Sequence, residues 1–300
     1  MIPPLQRVAV PLFAAFLALS TAHADVPVLI FAGQSNMGGF QTNTHQLSPD
    51  ELAEQPNVLF YGDTKTWQTV DLATRPTQPD DVLSGSGFGP EATVGKDLVA
   101  AGVFPKVLEI KYMRNGSPND SFLASPDDAV KTHAPNPVNS TWAPDFHVTG
   151  SQVSLYQNLL QRVKEARAAY TAQTGQQTYI AGFFWMQGET DAFSSAGLAK
   201  MYDQNLVKFI AALRRDLDTP DMPFIYGRIR HGKAFANDLI VRNGEDNIAK
   251  MDSDELVPHV FEVDTDAYEM ASDGVHYSSA GAMSLGHDMA KGFQEIAGKK

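Results

Sequence analysis

Val28-Leu-Ile-Phe-Ala-Gly-Gln-Ser-Asn-Met-Gly-Gly39 is the stretch whose reading decides the fold. Residues 28–32 are apolar without interruption, as a strand buried on both faces requires. The run ends at Gly33, which permits a sharp backbone turn, and Ser35 or Asn36 is suited to cap whatever helix or turn follows. Open α/β sheets bind ligands beyond the carboxyl ends of their strands, and Ser35 stands at such an end. Read alone, the stretch is equally well a strand, a turn and a capping serine with no chemistry. Two later stretches change that balance.

Working outward, short apolar runs alternate with helical patterns. Strands are predicted at 26–32, 57–61, 106–111, 179–186, 223–229 and 257–263, and helices over 91–101, 152–172, 196–217 and about 279–296. Residues 62–90 are rich in Gly, Pro, Asp and Thr and read as a surface loop; residues 234–250 are ambiguous, with a helix somewhere inside. Strands separated by crossovers of helical length imply a parallel sheet with helices on both faces. Between about 113 and 150 no period survives, yet Phe122, Trp142 and Phe146 are embedded there. A long aperiodic segment holding large aromatics reads as an insertion over the active edge rather than a disordered linker.

The ends and the composition narrow the function. In residues 1–24, Arg7 precedes an apolar run at 8–19, and Ala22-His-Ala24 offers small residues before a cleavage point. That is the pattern of a signal peptide, and it is too short, and interrupted by Pro11, for a membrane anchor. The expectation is a secreted or periplasmic protein whose residues 25–300 form one domain, with no stable membrane insertion. A formal charge of −12 argues against nucleic acid as a partner, since phosphate backbones demand clustered Lys and Arg. The chain has no cysteine, which removes disulfides, thiolate nucleophiles and cysteine-held metals.

The second informative stretch is Trp185-Met-Gln-Gly-Glu-Thr-Asp191, where polar residues follow a strand apolar on both faces. Gln187 offers an amide donor for an oxyanion, and Glu189 and Asp191 are acceptors able to orient a base or a hydroxyl. The third is Ser272-Asp-Gly-Val-His-Tyr277, between the last strand and the last helix. An aspartate three residues before a histidine, across a glycine, can fold back onto Nδ1–H and leave Nε2 free to take a proton from a serine. A polar turn accounts for either stretch taken singly. His231, after the strand at 223–229, is placed to line the cleft. His23 leaves with the leader, His45, His133 and His147 lie in loops, and His287 falls inside the last helix. Neither metal-binding His spacing nor a Gly-rich nucleotide loop is present, so neither metal nor cofactor is expected.

Gly33-Gln-Ser-Asn36, the run from Trp185 to Asp191 and Asp273-Gly-Val-His276, in that order, resemble the signature blocks of the SGNH (GDSL-like) hydrolases. More narrowly, they resemble the sialate O-acetylesterase / carbohydrate esterase family 6 branch, from residue 28 to about residue 287. The resemblance implies a three-layer α/β/α sandwich around a mostly parallel, five-stranded, flavodoxin-like sheet. It also implies a Ser35–His276–Asp273 triad, with the Ser35 N–H, Gly116 and Gln187 in the oxyanion hole. Arg114-Asn-Gly-Ser117 departs from the family's Gly-Gly-Thr/Ser pattern at Asn115, and Gln187 stands where many members have Asn. Gly87-Phe-Gly-Pro-Glu91 looks like a segment that members carry near the substrate. Glu189 competes with Asp273 as the partner of His276, and the sequence leaves the choice open. The reading is a serine esterase acting on acetylated carbohydrate, with Gln34, Asn36, Trp142, Phe122 and His231 as candidate substrate contacts. A lipid or aryl esterase of the same fold, or a sugar-binding protein without catalysis, are the alternatives.

Overall fold

The apolar run at 28–32 becomes the middle of the central strand β1 (Val26–Gly33), whose eight residues are all buried. This is seen in a computed structural model of the protein, which describes residues 25–74, 77, 86–119, 140–193, 196–232, 234–253 and 257–297. The leader at 1–24, Phe122 and His133 lie outside the described residues. The other strands of the sheet are β2 (Gln55–Tyr61), β3 (Trp67–Val70), β4 (Val107–Met113), β7 (Thr178–Met186), β8 (Phe224–Gly227) and β9 (Val260–Val263), in the order β3-β2-β4-β1-β7-β8-β9. Two-residue strands β5 (Ser140–Thr141) and β6 (Val153–Ser154) pair separately beside it.

The main sheet is parallel except for β3, which runs antiparallel to β2. The sandwich implied by the resemblance is therefore present, but with seven strands among the described residues rather than five. All six strands predicted from the apolar runs lie in it. The seventh, β3, falls inside the stretch 62–90 that composition assigns to a loop. It is a four-residue edge strand, buried only at Trp67 and Val70, and too short to imprint a pattern on its polar surroundings.

Helices α1 (Ser35–Gly38) and α2 (Pro49–Leu52) are short; α3 (Glu91–Ala100) and α9 (Ser279–Ala297) pack together on one face of the sheet. On the other face lie α4 (Leu155–Thr174), α7 (Tyr202–Asp216) and α8 (Asp238–Ser253), the last beginning inside the ambiguous stretch and running three residues past it. The helix predicted over 196–217 is two pieces, α6 (Ala196–Ala199) and α7, with α5 (Glu189–Phe193) before them. Alternation along β7 serves both layers. Phe184 stacks on Phe31 and lies near Phe293 of α9, while Phe183 and Trp185 meet Phe209 of α7 from the other side. Full burial of each such ring contributes about 1.5–3 kcal/mol. Among the described residues no helix is long and apolar enough to cross a membrane.

The exit from β1 depends on Gly33. Its φ is +145°, and a Cβ there would sit 2.0 Å from the carbonyl oxygen of Met186 on β7. Only glycine lets the chain turn this close to its neighbour, with Gln34 N–H bonded to that same oxygen at 2.9 Å. Ser35 is thereby delivered to the carboxyl edge of the sheet.

Candidate active site

Ser35 opens α1 directly after that turn and is mostly buried. The segment bringing His276 to it follows β9 and is folded by Asp273. One carboxylate oxygen of Asp273 accepts the N–H groups of Val275 and His276, both at 2.9 Å; the other lies 2.7 Å from His276 Nδ1. This aspartate-turn places the proton on Nδ1, leaving Nε2 as the acceptor for Ser35 Oγ–H at 2.9 Å. Burial is the largest influence on the Asp273 carboxyl and pushes its pKa up. The hydrogen bonds from His276 and Val275 outweigh it and hold the group below the ordinary carboxylate range. The ring of Phe40 lies 4.7 Å from the imidazole, centroid to centroid, and closes one side.

Glu189, at the start of α5, is buried and makes no hydrogen bond to the imidazole ring. Its Oε1 accepts from Asn36 Nδ2, and its Oε2 is without a partner. Burial raises its pKa, against the hydrogen bond from Asn36 and the nearby His276. Of the two carboxylates the sequence left open, Asp273 is the one bonded to the ring.

A family model for carbohydrate esterases, the sialic acid-specific acetylesterases, matches residues 25–295. The chain belongs to this family. It is accordingly a carboxylic ester hydrolase of the carbohydrate acetylesterase class. A probable carbohydrate esterase of Arabidopsis thaliana is 23% identical over 282 residues, covering 89% of each chain. The solved structure of an Arabidopsis thaliana protein aligns with a TM-score of 0.64 at 20% identity, over 90% of this chain and 98% of that one. A carbohydrate acetylesterase from Xanthomonas citri gives 0.58 at 14% identity, over 92% of this chain but 57% of its own. Both structures share the fold.

Several residues expected to face substrate in this acetylesterase-family chain are committed elsewhere. Gln187 is fully buried, and its amide nitrogen donates to the Ser117 carbonyl at 3.0 Å and to Asp191. Both of its N–H bonds are taken, so it presents none to an oxyanion. Gln34 is buried too, its Oε1 accepting from Thr190 N–H at 3.2 Å and lying 3.4 Å from Gln187 Nε2. Trp142 is fully buried: its indole N–H bonds Ser117 Oγ at 2.7 Å and its ring meets the edges of Trp185 and Tyr112. It is a core residue and offers no surface to a sugar. Asn36 is buried against Glu189 and the His276 segment.

Gly116 is half-buried, with φ +60°, in the turn beyond β4, the strand next to β1. His231 lies beyond β8 with an exposed ring whose Nδ1 is 2.7 Å from Asp238 Oδ2. Sequence reasoning missed Asp238, which is separated from its histidine by a turn and has no motif to mark it. The segment Gly87-Phe-Gly-Pro-Glu91 proves to be a brace behind α1. Phe88 N–H bonds Thr42 Oγ1 at 2.7 Å, and buried Glu91 accepts from Gly89 N–H at 2.9 Å and from buried Lys111 at 2.7 Å. Among the described residues no group of three or more His, Asp or Glu is placed to hold a metal ion.

Proposed function

We propose that the protein is an exported serine esterase that removes O-acetyl groups from carbohydrates by two-step acyl transfer. Ser35 Oγ attacks the acetyl carbonyl while His276 Nε2 takes its proton, and Asp273 stabilises the imidazolium that forms. Collapse of the tetrahedral intermediate breaks the ester bond. His276 returns the proton to the departing sugar hydroxyl, leaving acetyl on Ser35. Water deprotonated by the same nitrogen then releases acetate. With the Gln187 amide committed, the donors assigned to the oxyanion are the backbone N–H groups of Ser35 and Gly116. His231 is assigned a contact with the carbohydrate, since its ring is open to solvent and fixed in orientation by Asp238.

The observation that carries this reading is the unbroken chain of contacts from Ser35 Oγ through His276 to Asp273, between groups 241 residues apart. Family membership supports the substrate class, and the apolar leader at 8–19 supports export. The test is acetate release from acetylated xylan, acetylated sialic acid and aryl esters by the parent, Ser35→Ala and His276→Ala. Each variant is expected to lose about 1000-fold or more in kcat. Near-parental turnover by either removes that residue from the mechanism. Rates that climb with acyl chain length point to a lipid esterase instead. Sugar binding with no acetate from the parent identifies a non-catalytic lectin-like protein.

A further inference from the structure

The nucleophile turn and the His276 segment come from opposite ends of the chain. Misplacement of a reacting group by about 1 Å costs on the order of 100-fold in rate. Asn36, the residue after the nucleophile, spans the gap. Its Nδ2 donates to the carbonyl of Val275 at 3.2 Å, and its Oδ1 accepts the N–H of Tyr277 at 3.0 Å. Those two groups flank His276, so one side-chain amide straddles the backbone of the general base. The second Nδ2 hydrogen goes to Glu189 Oε1 at 2.5 Å, which fixes which way the amide faces.

No other side-chain type does this job at this length. An aspartate would set an acceptor against the Val275 carbonyl and a second charge against Glu189; an alanine would leave the N–H of Tyr277 buried and unbonded. The character of Glu189 points the same way. It is almost fully buried with one oxygen unpartnered, a costly arrangement that a residue needed only for packing would not require.

We propose that Asn36 is a positioning residue that fastens the His276 segment to the nucleophile turn, with Glu189 as the acceptor that orients its amide. The proposal rests on the serine-esterase reading above and adds to it the device that registers base against nucleophile. Neither residue touches the reacting atoms.

The test uses the full chain and three variants, Asn36→Ala, Glu189→Leu and Glu189→Gln. The readouts are kcat and KM on an aryl acetate, the rate of covalent labelling of Ser35 by a fluorophosphonate, and the thermal midpoint. Asn36→Ala is expected to lower kcat by about 30-fold or more with KM within about threefold, and to slow labelling in proportion. Glu189→Leu is expected to lose about tenfold or more, and Glu189→Gln to recover most of that loss because its amide oxygen still accepts from Asn36. A raised KM with kcat and labelling intact in Asn36→Ala makes Asn36 a substrate contact and overturns the proposal. Equal losses in Glu189→Gln and Glu189→Leu make the charge of Glu189 the operative property and overturn its assigned part. Should Asn36→Ala not fold, the Glu189 pair decides by the same criterion. A parent inert to both reagents sinks the esterase reading itself; an active, labelled parent beside an equally active Asn36→Ala sinks the positioning role alone.

Discussion

Two imidazoles at the carboxyl edge of the sheet are held in the same way and differ in what surrounds them. His276 and His231 each present Nδ1 to an aspartate oxygen at 2.7 Å. In both aspartates burial pushes the pKa up, while hydrogen bonds accepted from backbone N–H groups and from the imidazole together outweigh it and depress the pKa. Exposure is reversed between the pairs. The His276 side chain is 16% exposed and its aspartate 33%, whereas the His231 side chain is 62% exposed and its aspartate 7%. His276 has Ser35 at Nε2, Phe40 along its ring and Asn36 across its backbone. An oriented imidazole is therefore a cheap construction. Since both imidazoles have an aspartate, what sets the proposed catalytic one apart is the hydroxyl at Nε2 and the packing that keeps it there.

The sharpest way to break this comparison is to damage both aspartates alike. Asp273→Asn is expected to lower kcat by about 1000- to 10,000-fold, because an amide facing Nδ1 favours the tautomer with its proton on Nε2, where Ser35 must be accepted. Asp238→Asn has no nucleophile to misalign, and kcat on an aryl acetate should stay far closer to the parent. Losses of similar size in both variants would show that the two pairs act as one catalytic unit.

The same contrast explains what the sequence made legible. β1, β7 and β8 are buried along nearly all their length and correspondingly apolar, and β2, β4 and β9 still carry enough Val, Leu, Ile and Phe to be read. The edge strand Trp67–Val70, with Gln68 and Thr69 between its two buried residues, left no pattern. The apolar period runs through Lys200 and Met201, which hid the break between α6 and α7. The contact of Ser35, His276 and Asp273 was readable because the chemistry proposed for it needs those residue types in short local arrangements. What occupies Gln187, Gln34, Asn36 and Trp142 was not readable, because a sequence displays donors and acceptors without showing which are already used. The amide of Gln187 is taken by Ser117, 70 residues earlier in the chain, and that of Asn36 by Glu189 and Val275, 153 and 239 residues later.

A smaller effect sharpens the proposed role of the open imidazole. If His231 bonds a sugar hydroxyl, His231→Ala removes one hydrogen bond worth about 0.5–1.5 kcal/mol, which raises KM for acetylated carbohydrate about two- to tenfold. Aryl acetates have no sugar to lose, so their KM should not follow. Parallel changes for both substrates would place His231 outside any carbohydrate subsite.

The third histidine–aspartate contact supplies the smallest effect and the baseline for the other two. His287 on α9 bonds Asp97 of α3, away from the sheet edge, and that hydrogen bond raises its pKa above the ordinary value. A raised folded-state pKa means the pair's contribution is complete below the unfolded histidine pKa and is lost as pH climbs through the folded one. The pair is half exposed and screened, so its worth is at most about 1 kcal/mol, a shift of roughly 2–4 °C in thermal midpoint. The gap in midpoint between the parent and His287→Asn should be widest below the ordinary histidine pKa and close in mildly alkaline buffer, with kcat equal throughout. A gap that does not change with pH would mean that packing between α3 and α9, rather than charge, makes the contact, and that proximity of a histidine to an aspartate carries even less than the exposed pair suggests.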